Sequence, residues 1–269
     1  MLYFMKNTGI NILLWVYQVS VGLGLWSNKY FIAIFKYCYW VYKSIVDKRT
    51  ITFIKKNIHK DDCVVDVGSM IGFYTSKLSE YVGPSGCVYA FEPEPRNYGM
   101  LLETLTNDCV NKNVTAINSA ISSSQGVMRL AINHGHPADH HISKEDVESV
   151  EVNTISLDLF CKGIDNRPVK FIKIDVQGHE LEVLKGSTML IKEDNPIILL
   201  EIDNKALSRA ESSKDDLIGY MNGVDYSAHV INSKGLTKKI KERDIDKYLT
   251  KHGGYYDFVF IKDKFNKIK

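Results

Sequence analysis

From residue 61 onward, short runs rich in β-branched and aromatic residues alternate with stretches of helical periodicity, which restricts the chain to βαβ units around a mostly parallel sheet. Runs at 63–67, 87–92, 114–121, 169–175 and 196–202 are the expected principal strands, with helices at 71–81, 96–108 and 179–191. The strands are nearly continuous in apolar character, as burial on both faces requires when helices cover both sides of a doubly wound sheet. Two late runs, 227–232 and 256–262, read as an antiparallel pair at a sheet edge and bring the count to seven strands. The fourth and fifth strands are expected beside the first. Residues 122–166 are long for a connection, hold an extra strand at 127–132, and read as an insertion over the active edge. Residues 59–269 thus form one Rossmann-like α/β domain behind a helical extension, residues 1–58.

Charge narrows the partners. With 34 basic and 32 acidic residues the net charge is +2, too small for a field that would gather nucleic acid, so no nucleic-acid partner is expected. Cys38, Cys63, Cys87, Cys109 and Cys161 are odd in number and never spaced C-x-x-C, which fits a reducing, cytoplasmic setting without zinc or disulfides. In the extension, no charge falls between Lys6 and Lys29, and residues 10–26 are apolar enough to weigh as a membrane segment, though short and diluted by Asn11, Gln18 and Ser20. Residues 30–46 place Lys36 and Lys43 among Tyr, Trp and Phe, the mixture favoured at a membrane interface. A basic start and a small-residue cleavage site are both missing, so the segment is not read as a cleaved signal. The leading expectation is a helical cap packed on the domain; membrane association through residues 10–46 is the alternative.

In open α/β sheets, ligands bind beyond the carboxyl ends of the strands where chain direction switches. The first strand ends in Asp66-Val67-Gly68-Ser69-Met70-Ile71-Gly72, a glycine turn running into a helix. The second ends in Phe91-Glu92-Pro93, with Glu92 where Rossmann-type sites hold two ribose hydroxyls and where a carboxylate repels a 2′-phosphate. Together they indicate an adenosine-containing ligand. A G-x-x-x-G turn lacks the G-x-G-x-x-G spacing that cradles a pyrophosphate, which argues against a dinucleotide and for a phosphate-free cofactor, S-adenosylmethionine. The fourth strand ends in Asp175 and the fifth in Glu201-Ile202-Asp203. Asp175 is placed to act as general base, to orient a nucleophile, or to hold a divalent cation with Glu201 or Asp203, while helix capping is the structural alternative. In the insertion, the run from His134 to His141 offers His140 or His141 as a base; no metal site is expected there, although histidine is a common ligand.

The motifs Asp66 to Tyr74, Ala90 to Tyr98, Leu157-Asp158 and Phe171 to Gly186 resemble, in order and spacing, those of the FkbM family of S-adenosylmethionine-dependent methyltransferases. The resemblance covers roughly half the chain and none of the first fifty residues. It implies a class I methyltransferase fold and methyl transfer, commonly to a hydroxyl oxygen of a sugar or natural product. It further implies that Asp66, Gly68 and Gly72, with Ser69 of the same turn, line the methionine part, that Glu92 holds the ribose, and that Ser119 and Ala120 border the adenine. Asp175, His140 and Glu201 are then the expected catalytic residues, acting on a glycan or other small hydroxylated acceptor. A protein or lipid-linked acceptor at a membrane and a noncatalytic binding module are the alternatives. The chain departs from the family's habit at Ser69-Met70, where Ala-Asn is common, and at Gln177 and His179, where Glu and an alanine-like residue are frequent.

Overall fold

The computed structural model describes residues 2–25, 28–107, 112–133, 139–143, 147–163 and 167–263. Three helices come first: α1 (Leu2–Gly22), α2 (Lys29–Val46) and α3 (Lys48–Asn57). Asn28 caps α2 by accepting the backbone N–H groups of Tyr30 and Phe31, satisfying two of the donors a helix start leaves open. Helices α2 and α3 are separated by the single buried residue Asp47.

The alternating region follows as β1 (Cys63–Val67), α4 (Phe73–Val82), β2 (Cys87–Phe91), α5 (Pro95–Asn107) and β3 (Val114–Ile117). Next come β4 (Ala120–Ile121), β5 (Gly126–Ala131), β6 (His141–Ile142), β7 (Ser149–Ile155) and α6 (Leu157–Lys162). The chain then returns to the main sheet through β8 (Val169–Ile174), α7 (Glu180–Lys185), α8 (Thr188–Asp194), β9 (Ile197–Asp203) and α9 (Asn204–Arg209). It closes with α10 (Lys214–Gly223), β10 (Tyr226–His229), β11 (Ile231–Asn232), β12 (Gly235–Leu236), α11 (Glu242–Lys251) and β13 (Tyr255–Lys262).

The main sheet has seven strands in the order β10-β13-β9-β8-β1-β2-β3. Neighbours from β3 through β9 run parallel, and β13 runs antiparallel to both β9 and β10. The chain winds outward from β1 through β2 to β3 and then crosses back to β8, so the direction switches between β1 and β8. That split fixes where a ligand can enter. One face of the sheet packs Val65, Val67, Ile172 and Ile174 under α6, α7, α8, α10 and α11. The other packs Val64, Val88 and Phe171 under α3 and α4, with Tyr39 and Trp40 of α2 against its edge.

Four expectations change. The fifth strand does not touch the first: β9 pairs with β8, so Glu201 stands one strand farther from the switch point than Asp175. The third strand stops at Ile117, because Ala120 and Ile121 turn away to pair with β7 in a separate four-stranded sheet, β4-β7-β5-β6, which is the insertion. The helix expected over 179–191 breaks into α7 and α8 at Gly186, where a Cβ would lie 2.0 Å from the carbonyl oxygen of Ser122. The late run 227–232 is also divided, into β10 and β11. No helix among the described residues is long and apolar enough to cross a membrane.

Candidate active site

A cavity of about 610 Å³ opens at the carboxyl ends of β1, β2, β8 and β9. Its floor begins with the turn after β1. Gly68 has φ +80°, a conformation that costs a side chain strain, and a Cβ there would fall 1.9 Å from the carbonyl oxygen of Asp175. The missing side chain lets the ends of β1 and β8 close on each other across the switch point. Gly68→Ala is therefore expected to lower stability by about 2 kcal/mol and to reduce ligand binding, read by thermal melting and calorimetry.

Two non-glycine residues in the cavity wall also have left-handed backbone, Met70 at φ 51° and Gln177 at φ 56°. Such conformations persist when surroundings over-determine them. Here buried carboxylates do so. Glu92 accepts the Met70 N–H at 2.8 Å and the Glu94 N–H at 3.0 Å; Glu180 accepts the N–H groups of Val176 and Gly178 around Gln177. Burial pushes both carboxyls up to about 7, against the lowering effect of those N–H groups.

The two strands flanking β1 each deliver a carboxylate to the cavity, Glu92 from β2 and Asp175 from β8. They have opposite electrostatics. Burial alone would raise the Asp175 carboxyl, but the ammonium groups of Lys173 and Lys43, with hydrogen bonds involving Glu201 and Gln177, hold it down at about 2. Lys173 Nζ lies 3.2 Å from Asp175 Oδ2, and Gln177 Nε2 donates to Asp175 Oδ1 at 3.1 Å and to Glu201 Oε2 at 2.9 Å. Lys173 is itself buried, 3.9 Å from Asp66 and 5.0 Å above the Tyr74 ring. Burial works against its charge, yet the two aspartates outweigh that cost and raise its pKa.

The extension supplies the roof. Tyr39, Tyr42, Lys43, Val46 and Asp47 of the α2 region, with Asn11 and Leu14 of α1, line the cavity. Lys43 pairs with Asp47, Asp47 accepts the Tyr74 hydroxyl at 2.9 Å, and the Tyr39 hydroxyl points at Met70 Sδ at 3.6 Å. This wall thus joins the buried charge chain that reaches Asp175 through Tyr74 and Lys173.

Of the residues expected from sequence, Gly68, Glu92, Ser119, Ala120, His140, Asp175 and Glu201 line this cavity. Asp66, Ser69 and Gly72 stand behind it. Asp66 is fully buried, accepts the Thr75 hydroxyl at 2.6 Å and faces Lys173; burial raises its pKa, opposed by that ammonium. Ser69 donates its hydroxyl to the Asp66 carbonyl, and Gly72 begins α4 where a Cβ would press on Leu101 and Thr104 of α5. Ser119 donates to the Asn153 carbonyl, tying the main sheet to the insertion.

His140 reaches the cavity, but its Nδ1 accepts the Asn133 N–H at 3.0 Å, so the neutral ring carries its proton on Nε2 and offers a donor rather than a base. His141 sits in β6 with Nδ1 against the Asp139 carbonyl, and residues 134–138 and Cys109 lie outside the described residues. Asp203 caps α9 through the N–H groups of Lys205 and Ala206, the capping role considered for Asp175. Among the described residues, no three histidine, cysteine, aspartate or glutamate side chains form a group that could hold a metal.

Sequence reasoning gave no role to Lys173 or Asp47, read Lys43 only within an interfacial pattern, and treated His179 only as a departure from a pattern. Lys173 carried a signal, since a lysine inside a strand buried on both faces needs an acidic partner. His179 lines the cavity, with Nε2 3.0 Å from the Ser122 hydroxyl and its pKa lowered by burial.

Comparison with known proteins gives this geometry a family. Over 158 residues the chain is 31% identical to hexuronic acid methyltransferase AglP of Haloferax volcanii, covering 57% of this chain and 61% of that one. The chain thus spans about three fifths of that relative's length. It is 25% identical over 183 residues to methyltransferase sdnD of Sordaria araneosa, covering 52% of this chain and 70% of that one. The crystal structure of methyltransferase FkbM from Methylobacillus flagellatus superposes with a TM-score of 0.44 at 19% identity, over 75% of this chain and 43% of that one. Residues 66–228, more than half the chain and the span from the Gly68 turn into β10, match the model of the methyltransferase FkbM domain, and the protein belongs to that family.

Proposed function

We propose that the protein transfers a methyl group from S-adenosylmethionine to a hydroxyl oxygen of a sugar or similar small acceptor. The observation that carries this reading is the pair of carboxylates of unlike character, Glu92 and Asp175, facing one cavity from the strands beside the Gly68 turn. The residues fit the cofactor. The turn at Gly68 lines the cavity without a side chain, Glu92 has acceptor capacity left for ribose hydroxyls, and the cavity is of the size that holds such a ligand. When bound, the cofactor supplies an electrophilic methyl group on a sulfonium.

The chain's own residues would do the rest. Glu92 binds the ribose, and Ser119 and Ala120 border the adenine. Tyr39 and Tyr42 exclude water from above, which strengthens the charged contacts within. Asp175 accepts a hydrogen bond from the acceptor hydroxyl and so aims its lone pair. A carboxylate held near 2 is a weak base, but a protonated ether is a far stronger acid than a carboxylic acid, so Asp175 can take the proton once the new C–O bond exists. Glu201 acts through Gln177, which it holds against Asp175. His140 is a donor at the cavity wall. The hexuronic acid in the name of the Haloferax volcanii relative favours an acceptor bearing a carboxylate, which the exposed cavity residue Lys205 could meet.

The test is formation of S-adenosylhomocysteine from S-adenosylmethionine across a panel of neutral hexoses and hexuronic acids, followed by Asp175→Asn. Turnover with a uronic acid and a kcat lowered about tenfold in the variant, with cofactor affinity nearly unchanged, are expected. Failure of the wild type to bind S-adenosylhomocysteine would overturn the reading.

A further inference from the structure

The α1–α2 hairpin has two faces, and only the inner one belongs to the cavity. On its outer side α1 exposes Ile12, Trp15 and Val19, with Leu23 in the turn that follows, and α2 exposes Tyr30, Ile34, Tyr37, Val41 and Ile45. Steps of three and four residues put each set on a single helical stripe. The exposure is large: Trp15 is 63% accessible, Ile34 64% and Tyr37 71%. Isolated apolar residues on a surface need no explanation, but two parallel stripes on packed neighbouring helices form a contiguous patch, which marks an interaction site.

Charge identifies the occupant. Residues 1–60 hold nine lysines and arginines against Asp47 alone, a net charge of +8, whereas the rest of the chain carries −6. Exposed Lys48 and Arg49 stand at the end of the α2 stripe, and exposed Lys55 and Lys56 follow in α3. A second copy of the same face would set this basic segment against itself. Nucleic acid would meet the charge but leave the aliphatic stripe without a partner. An anionic bilayer satisfies both, with headgroup phosphates for the basic residues and the acyl boundary for Trp, Tyr, Ile and Leu. Neither helix is long and apolar enough to span, so the hairpin would lie in the interface rather than cross it.

We propose that the outer face of the α1–α2 hairpin docks on an anionic membrane surface, holding the cavity walled by its inner face at that surface. The inference rests on the stripes and the charge division, independently of the reaction assigned to the cavity.

The experiment is flotation of the full chain with vesicles of phosphatidylcholine alone or with about 30% phosphatidylglycerol, beside analytical ultracentrifugation without lipid. Wild type is expected to float with the anionic vesicles, roughly tenfold less with neutral ones or at high salt. Trp15→Ser/Ile34→Ser/Tyr37→Ser should abolish flotation while leaving circular dichroism and melting unchanged. Wild type that stays at the bottom with anionic vesicles, or a variant that floats equally well, would overturn the proposal. So would a lipid-free dimer that the triple variant dissociates, because a second copy would then cover the face.

Discussion

Changing Glu92 to glutamine is expected to weaken S-adenosylhomocysteine binding by roughly a hundredfold, read by calorimetric titration. Hydrogen bonds to a charged group are each worth about 1.5–3 kcal/mol, and a ribose offers two hydroxyls. The amide also keeps one acceptor oxygen where the Met70 and Glu94 N–H groups converge, so one buried donor would face an NH2 group. Affinity should depend on pH with a definite sign. Burial raises the Glu92 carboxyl to about 7, and the ionised form is the better acceptor, so wild-type affinity should rise as pH passes 7 and level off above it. Binding below pH 7 should release a proton, visible as a dependence of the measured heat on buffer ionisation. The same shift costs the free protein stability. From about pH 4.5 upward the unfolded chain gives up a proton that folded Glu92 retains, so this group's contribution falls until pH 7. A variant that binds within threefold of wild type would show that Glu92 does not hold the cofactor.

Lys173→Met should be the most damaging substitution for stability. The ammonium is shared by Asp66 and Asp175 in a buried setting, and removing one partner of such a group costs about 3–5 kcal/mol because charge remains uncompensated. For a chain of this size that is a fall in Tm of roughly 10 °C. The pH response separates the two aspartates. Asp175, held at about 2, contributes stability that is full above about pH 4 and lost as pH falls toward 2. That contribution should shrink in the variant, where only Lys43 and the hydrogen bonds involving Glu201 and Gln177 still hold Asp175 down. Adding Asp66→Asn to Lys173→Met should recover part of the loss, since one of the two stranded carboxylates is then neutral. A single variant that melts within two degrees of wild type would refute the shared-cation account.

The main sheet was legible because its central strands are buried on both faces and therefore read as apolar runs, as in Cys63–Val67 and Cys87–Phe91. Gly68, Glu92 and Asp175 were legible for a related reason. Each ends such a run, and a strand end is a place in space as well as in sequence. Glu201 was misplaced because neighbour order along a sheet is decided by crossovers that strand patterns do not record. The break at Gly186 depends on the approach of the Ser122 carbonyl, a contact between segments more than sixty residues apart, and no local propensity encodes it. His140 was visible as a histidine but not as a donor, since its tautomer follows from the Asn133 N–H. The roof escaped because α2 shows an amphipathic pattern with no mark of which face meets a ligand. Tyr39 and Lys43 belong to the cavity only through packing against Met70 and Tyr74.

The segment that identifies the family begins at Asp66, yet part of the cavity wall is built by residues 11–47. What is recognisable by descent and what walls the cavity are therefore different lengths of chain. Two proteins alike throughout residues 66–228 and unlike before residue 58 would share the Gly68 turn, Glu92 and Asp175 and yet close the cavity under different roofs, so the space above those residues would be inherited separately from the floor beneath it.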